Sequence, residues 1–464
     1  MKSLALTFLF LGLLGSPAPA ASSKPNLIVI LADDLGWADL SAYGNTYNQT
    51  PNLDRIAQQG MRFTQAYAGP VCSPTRANLQ SGQDQTRFGI TQHIPGHRRP
   101  FAKMIDPVVA SHLPLEVETF AERIGAAGYR TGYFGKWHLG GAGFSPIDQG
   151  WQTSLEIQGN TVPLAISGGT EPRRMAEFLT EKAVAFIESA NGQPFLLQVS
   201  HYAVHIPLST TPALLKKYQD RKPMPGYPSN PQYAGLLEEL DQSVGKIVET
   251  VDRLGLGENT LIVFISDNGG LEHEQSGRVV TSNRPLRGEK GSLYEGGIRI
   301  PAIVRWTGKV PAKTTSDTPI ITMDWHPTLT ALAGATAKNS QPQDGVSLTQ
   351  LIMNPRASLP RDTLTWHLPH YHHSTPASAL RRGDWKLIEF FEDGALELYN
   401  LANDLGEKNN LARREPARAK ELQGALATWR QKVGAQLPVA NPKHDPARAS
   451  ELGKGAPSSR KKAE

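Results

Sequence analysis

Short apolar runs of strand length recur along this chain, with helical patterns between them. Asn26 to Leu31, Tyr129 to Phe134, Phe195 to Val199, Leu261 to Ile265 and Ile300 to Val304 are largely apolar and too short for helices of their own. Such runs fit strands buried within a parallel sheet. Between them, Asn52 to Gln59 follows Thr50-Pro51, a pair that starts helices. Thr119 to Ala127 stops at Gly128, Met175 to Ser189 is amphipathic, and Tyr233 to Leu254 is the longest helical stretch. This alternation predicts an α/β fold, a large, mixed but mostly parallel sheet sandwiched by helices. An apolar fraction of 39% against 20% charged supplies a sizeable core and excludes wholesale disorder.

The ends differ from the middle. Lys2, the apolar stretch Leu4 to Leu14 and Ala18-Pro19-Ala20 have the order of an export leader, so residues 1–20 are expected to be a signal peptide cleaved near Ala20. The mature protein is then expected to be periplasmic or secreted, with no membrane span. Residues 21–355 are expected to form the catalytic α/β domain. Over 356–440, Asp362 to His367, Ser378 to Arg382, Trp385 to Phe390 and Leu396 to Tyr399 suggest short antiparallel strands. With a helix near Glu415 to Lys432, they make a small C-terminal α+β subdomain. Residues 441–464, rich in Pro, Ala, Ser and Lys, are expected to be a disordered basic tail. Six Lys/Arg against three Asp/Glu from Lys443 onward account for most of the net charge of +5. The body is close to neutral, which argues against nucleic acid as a partner.

Four of the apolar runs end in polar chemistry. The first leads into Asp33-Asp34, and Leu261 to Ile265 leads through Ser266 into Asp267-Asn268. Carboxyl ends of parallel strands share one rim, where ligands bind. Three carboxylates and an amide meeting there are hard oxygen donors that suit Ca²⁺, or less well Mg²⁺, rather than zinc. Either motif alone is as readily a turn or a helix cap; the matched pair is the stronger signal. Tyr129 to Phe134 runs into Lys136 and His138, and Phe195 to Val199 into His201 and His205. Cys72, the chain's one cysteine, excludes an internal disulfide and a multi-thiolate zinc site. It stands just before Pro74 and Arg76 at a helix start, a place suited to an anionic substrate.

Cys72-Ser73-Pro74-Thr75-Arg76 resembles the Cys-x-Pro-x-Arg signature of the type I, formylglycine-dependent sulfatases, in the alkaline phosphatase superfamily. The family commonly has serine where this chain has Thr75. The resemblance extends through Thr50 to Asp54, Gly135 to His138, His205 to Pro207, Ser266 to Gly269 and Gly288 to Gly297. It implies that a maturation enzyme oxidises Cys72 to formylglycine. It further implies that Asp33, Asp34, Asp267, Asn268 and modified residue 72 hold Ca²⁺. Arg76 would steady the formylglycine hydrate, and Lys136 and Lys290 would bind sulfate oxygens. His138 would take the proton that frees sulfate, and His205 would protonate the leaving alcohol. The implied substrates are sulfated carbohydrates.

One tract lies outside these motifs. His367-Leu368-Pro369-His370-Tyr371-His372-His373 falls between two predicted strands of the subdomain. If it overhangs the rim, His370, Tyr371, His372 and His373 could contact a sugar, and the enzyme would be exo-acting, with galactose-type sugars the first guess. A solvated loop or an incidental metal tract are the plainer readings. Rival functions are a phosphodiester or phosphonate ester hydrolase of the same fold, and a silent secreted glycan-binding protein.

Overall fold

The computed structural model describes residues 24–163, 166 and 173–453. The expected leader and the last residues of the basic tail lie outside the described residues. The main sheet contains β1 (Asn26–Ala32), β2 (Met61–Tyr67), β3 (Arg130–Gly135), β4 (Thr153–Leu155), β5 (Phe195–Ser200), β6 (Thr260–Ser266), β7 (Arg299–Arg305), β8 (Thr314–Ser316) and β9 (Ile320–Ile321). Its order is β8-β2-β7-β6-β1-β5-β3-β4, with β9 also on β2. β1 lies centrally, parallel to β5 and β6.

Two expectations change here. Ile300 to Val304, expected as a parallel strand, lies in β7, which runs antiparallel to both β6 and β2. Its apolar run marks burial on both faces, and burial carries no information about direction. β2 was not anticipated, because Arg62, Thr64 and Gln65 interrupt its apolar pattern on a partly covered face. Being antiparallel to β7, β2 ends at the same rim as β1.

The sheet divides two cores. Ile28 and Ile30 face helices α1 (Pro51–Gln59), α4 (Met175–Glu188) and α5 (Pro231–Arg253). Leu27, Val29 and Leu31 face α2 (Cys72–Ser81), α3 (Phe120–Ala126) and α6 (Trp325–Leu332). This is the period-2 alternation of a strand. α5 starts where Asn230 accepts hydrogen bonds from the Gln232 and Tyr233 amides ahead of its apolar stripe. Leu236, Leu240, Val244, Ile247 and Val251 are fully buried by it, each contributing about 1.5–3 kcal/mol.

The C-terminal part is a four-stranded antiparallel sheet, β10 (Thr363–Leu368), β11 (Ala377–Arg382), β12 (Trp385–Phe390) and β13 (Leu396–Asn400). Helix α7 (Pro416–Val433) packs Leu422 and Leu426 on Leu380, Leu387 and Leu398. The opposite face meets Tyr67, Ile298 and Ile321 of the main unit. At that seam Lys386, fully buried, reaches Glu295 at 3.0 Å and Glu407 at 2.8 Å. Residues 441–453, expected to be disordered, instead lie along the segment from Arg98 to Lys103. The Asn441, Asp445 and Gly453 amides donate to the carbonyls of Lys103, Phe101 and Arg98. Backbone pairing overrides the polar composition there.

Candidate active site

The rim is assembled from strand ends that the register fixes. Ala32 pairs with Ser266, so Asp33-Asp34 and Asp267-Asn268 leave the sheet side by side. The Asp34 amide donates to Asp267 Oδ1 at 3.1 Å, with Asp34 itself at φ 61°. β3 delivers Lys136 and His138. Gly135 lets that strand close on β5, since a Cβ there would lie 1.9 Å from the Ser200 carbonyl oxygen. β2 delivers Cys72 at the first turn of α2. Because β7 runs the other way, the loop before it also reaches the rim, bringing Lys290. The Gly291 amide donates to the Pro70 carbonyl at 2.7 Å, tying that loop to the one before Cys72.

Ten predicted residues therefore converge: Asp33, Asp34, Cys72, Arg76, Lys136, His138, His205, Asp267, Asn268 and Lys290. Their charges are paired. Lys136 Nζ lies 2.5 Å from Asp33, Lys290 Nζ 2.7 Å from Asp34, and Arg76 grips Asp267 through Nη2 at 2.7 Å and Nε at 3.2 Å. Burial would raise the pKa of Asp33, but Lys136, His205 and Arg76 outweigh it and hold the carboxyl below its usual range. Asp34 is likewise held low, with burial outweighed by Lys290 and His205. Burial works against the charge of Lys136, yet Asp33 and Cys72 keep its pKa above the ordinary value. Arg76 Nη1 also donates to the Lys136 carbonyl, at 2.6 Å.

Two buried oxygens in this cluster, Asp33 Oδ1 and Asn268 Oδ1, have no hydrogen-bond partner among the described residues. Ligand atoms of Asp33, Asp34, Cys72 and His205 lie within 4.8 Å of one another. Orphaned oxygens beside further hard donors fit a divalent cation. That grouping has His205 where the sequence suggested Asp267, whose carboxylate is engaged by Arg76 and the Asp34 amide.

Cys72 is buried, and burial pushes its thiol pKa up despite Lys136 and Lys290. An unmodified thiol here stays protonated and is a poor nucleophile. Thr75 Oγ1 accepts from the Gly69 amide at 2.7 Å, a bond that a serine hydroxyl could also make. The His138 ring rests 2.7 Å from the Ile94 carbonyl through Nε2, so Nε2 carries the proton. Its Nδ1 is buried without a partner. Burial, then Lys136, lowers its pKa well below the ordinary value and keeps the ring neutral. His205 turns Nδ1 to the Ile206 carbonyl, leaving Nε2 3.6 Å from Asp34 Oδ2. His201 lies off the site, fully buried, with Nε2 3.2 Å from Ser243 on α5.

A cavity of about 410 Å³ opens over these groups, with Cys72, His138, His205 and Lys290 in its wall. The histidine tract divides. His372 and His373 line the cavity, and His373 Nδ1 donates to the Lys290 carbonyl at 2.6 Å. His370 and Tyr371, expected at the substrate, are buried and lie outside the wall of this cavity. His370 bonds Thr91 at 2.7 Å, and the Tyr371 hydroxyl accepts from the Met104 amide at 3.0 Å and bonds Glu392. His93 and His97 also line the cavity and were missed. The signal available was two histidines flanking Ile94-Pro95-Gly96, a turn sequence.

The family described as Sulfatase matches residues 25–335, and the one described as N-sulphoglucosamine sulphohydrolase, C-terminal, matches residues 288–432. A "Sulfatase" of Formosa agariphila is 30% identical over 528 residues, covering 92% of this chain and 94% of its own length. Arylsulfatase A of Bos taurus is 31% identical over 454 residues, covering 84% of each. Among solved structures, Ps i-CgsB superposes with a TM-score of 0.75 at 27% identity, over 88% of this chain and 93% of that one.

Proposed function

The chain belongs to the sulfatase family of sulfuric ester hydrolases, and from this premise we propose that it is an exported enzyme that removes sulfate from carbohydrates. Its nucleophile is residue 72 after oxidation to formylglycine by a maturation enzyme. The observation that carries this reading is the pairing of a raised thiol pKa at Cys72 with two partnerless buried oxygens, on Asp33 and Asn268, beside it. A thiol attacking sulfur would leave a dead-end adduct, whereas a geminal diol can expel sulfate by returning to the aldehyde.

The residues that would hold a divalent ion, with Ca²⁺ first, are Asp33, Asp34, Asn268, Asp267 and residue 72. Such an ion supplies Lewis-acid polarisation of a sulfate oxygen. The remaining work falls to side chains. Lys136 and Lys290 offer ammonium protons to the ester's oxygens, where negative charge develops. As one hydroxyl of the hydrate bonds to sulfur and the sulfur–oxygen bond to the alcohol breaks, His205, whose ring nitrogen lies within 4.8 Å of the residue-72 side chain, gives a proton to the leaving oxygen and takes up the one that hydroxyl loses. His138, neutral with a bare Nδ1, then accepts the proton of the other hydroxyl as the carbon–oxygen bond to sulfate breaks.

For substrate, the cavity's size and the presence of His372 and His373 in its wall favour a terminal sugar, so exo action on galactose- or N-acetylgalactosamine-type residues. Human N-acetylgalactosamine-6-sulfatase is 30% identical over 373 residues, 74% of this chain. Ps i-CgsB has also been solved with k-i-k-neocarrahexaose. The test is chromatography of a panel of sulfated mono- and oligosaccharides after incubation with the enzyme. Release of sulfate from terminal galactose-type residues is expected; turnover of phosphonate esters with none of any sulfate ester would contradict the reading.

A further inference from the structure

Three histidines meet at the mouth of the cavity, apart from the rim of carboxylates. His93 and His97 flank the turn Ile94-Pro95-Gly96, in which Gly96 has φ 86°. His372 comes from the loop after β10. The ring centroids lie 4.4 Å apart for His93–His97, 5.5 Å for His93–His372 and 5.3 Å for His97–His372. One ring nitrogen from each lies within 4.8 Å of the others.

The site is built, not incidental. His372 is 6% exposed and its Nδ1 is buried with no hydrogen-bond partner among the described residues. That nitrogen packs against Gly291, where a Cβ would stand 1.9 Å from it, so the ring's position requires glycine at 291. The turn is pinned from below, with the Ile94 amide donating to Ser73 Oγ at 3.1 Å and its carbonyl accepting from His138 at 2.7 Å. The His97 amide donates to Gln92 at 2.7 Å.

We propose that His93, His97 and His372 form a second cation site, for Zn²⁺ or a similar borderline metal, that braces the turn against the cavity mouth. Three imidazoles with one open position are a zinc ligand set, whereas hard Ca²⁺ prefers oxygen. Zinc bonds of about 2.0–2.1 Å place tetrahedral ligands roughly 3.4 Å apart, so the rings need only rotate inward. Of the cations near them, Lys136 and Lys290 are already paired with Asp33 and Asp34, which limits repulsion of the metal. His97 is exposed, giving the metal a route in. The site exists whether or not residue 72 is modified.

The experiment is equilibrium dialysis of the full chain against Zn²⁺ with about 1 mM Ca²⁺ present to occupy oxygen-rich sites, followed by elemental analysis. One Zn²⁺ per chain is expected, bound at least roughly tenfold more weakly in His97→Ala and in His93→Ala. The Asp34→Asn variant should retain it, because Asp34 belongs to the other cluster. His97→Ala alters an exposed side chain, so its thermal melt should match the parent and exclude misfolding. Zinc affinity unchanged in both histidine variants, or no zinc bound at about 100 µM, would overturn the proposal.

Discussion

His138 and His205 share a rim, and each has one ring nitrogen held by a backbone carbonyl. The Ile94 carbonyl fixes the proton of His138 on Nε2 and leaves Nδ1 bare, while the Ile206 carbonyl takes Nδ1 of His205 and turns Nε2 toward Asp34, so a donor role for His205 needs a second proton, on Nε2. A proton donor matters most when the leaving alcohol is a poor one. His205→Ala is therefore expected to lower kcat/KM on a sulfated sugar by about 10²–10⁴, with a much smaller loss on an activated aryl sulfate. Steady-state assays on both substrates check this, and equal losses would remove His205 from the acid role. Sequence placed both residues correctly because each follows a strand of the main sheet, where position along the chain fixes position at the rim. It could not separate His370 and Tyr371, which lie outside the cavity wall, from His372 and His373, which line it, because a histidine bonded to Thr91 reads the same as one that faces a cavity.

Between elements, the interface that joins the C-terminal sheet to the main unit depends on buried charge. Glu295 is held down to about 2: burial would raise it, but Lys386, Arg299 and Arg381 outweigh that. Glu407 is pushed up to about 7 by burial, which Lys386 opposes and Glu295 reinforces. Since its folded pKa exceeds the ordinary 4.5, the stability that Glu407 contributes is fully present below that value and is lost as pH rises through about 7. Lys386→Met should cost about 3–5 kcal/mol at pH 8, because it leaves the buried Glu407 carboxylate without its cation and Glu295 with Arg299 and Arg381 alone. The cost should shrink near pH 5, where Glu407 takes up a proton. Urea unfolding at both pH values measures it, and equal losses would contradict the assignment. None of this pairing was legible beforehand, since Lys386 sits in a short strand as an ordinary alternating polar residue. The same limit hid β2, whose mixed composition conceals the strand that carries Cys72.

Across the whole molecule, the site draws on strand ends from β1 to the loop before β7, which is why motifs 233 residues apart form one cluster (Asp34 and Asp267 touch through an amide at 3.1 Å). Those motifs were readable because parallel topology converts strand order into a shared rim. The cavity walls were not, because loops such as Thr91 to His97 take their place from tertiary contacts and carry no periodicity. What unites rim, cavity and buried cysteine is the claim that residue 72 acts only after oxidation. Trypsin should release residues 63–76 as one peptide, ending at Arg76. Mass spectrometry of that peptide from active enzyme should show a deficit of about 18 Da at residue 72, the change from thiol to aldehyde. Full sulfatase activity from a preparation whose residue 72 is entirely an unmodified thiol would contradict the account.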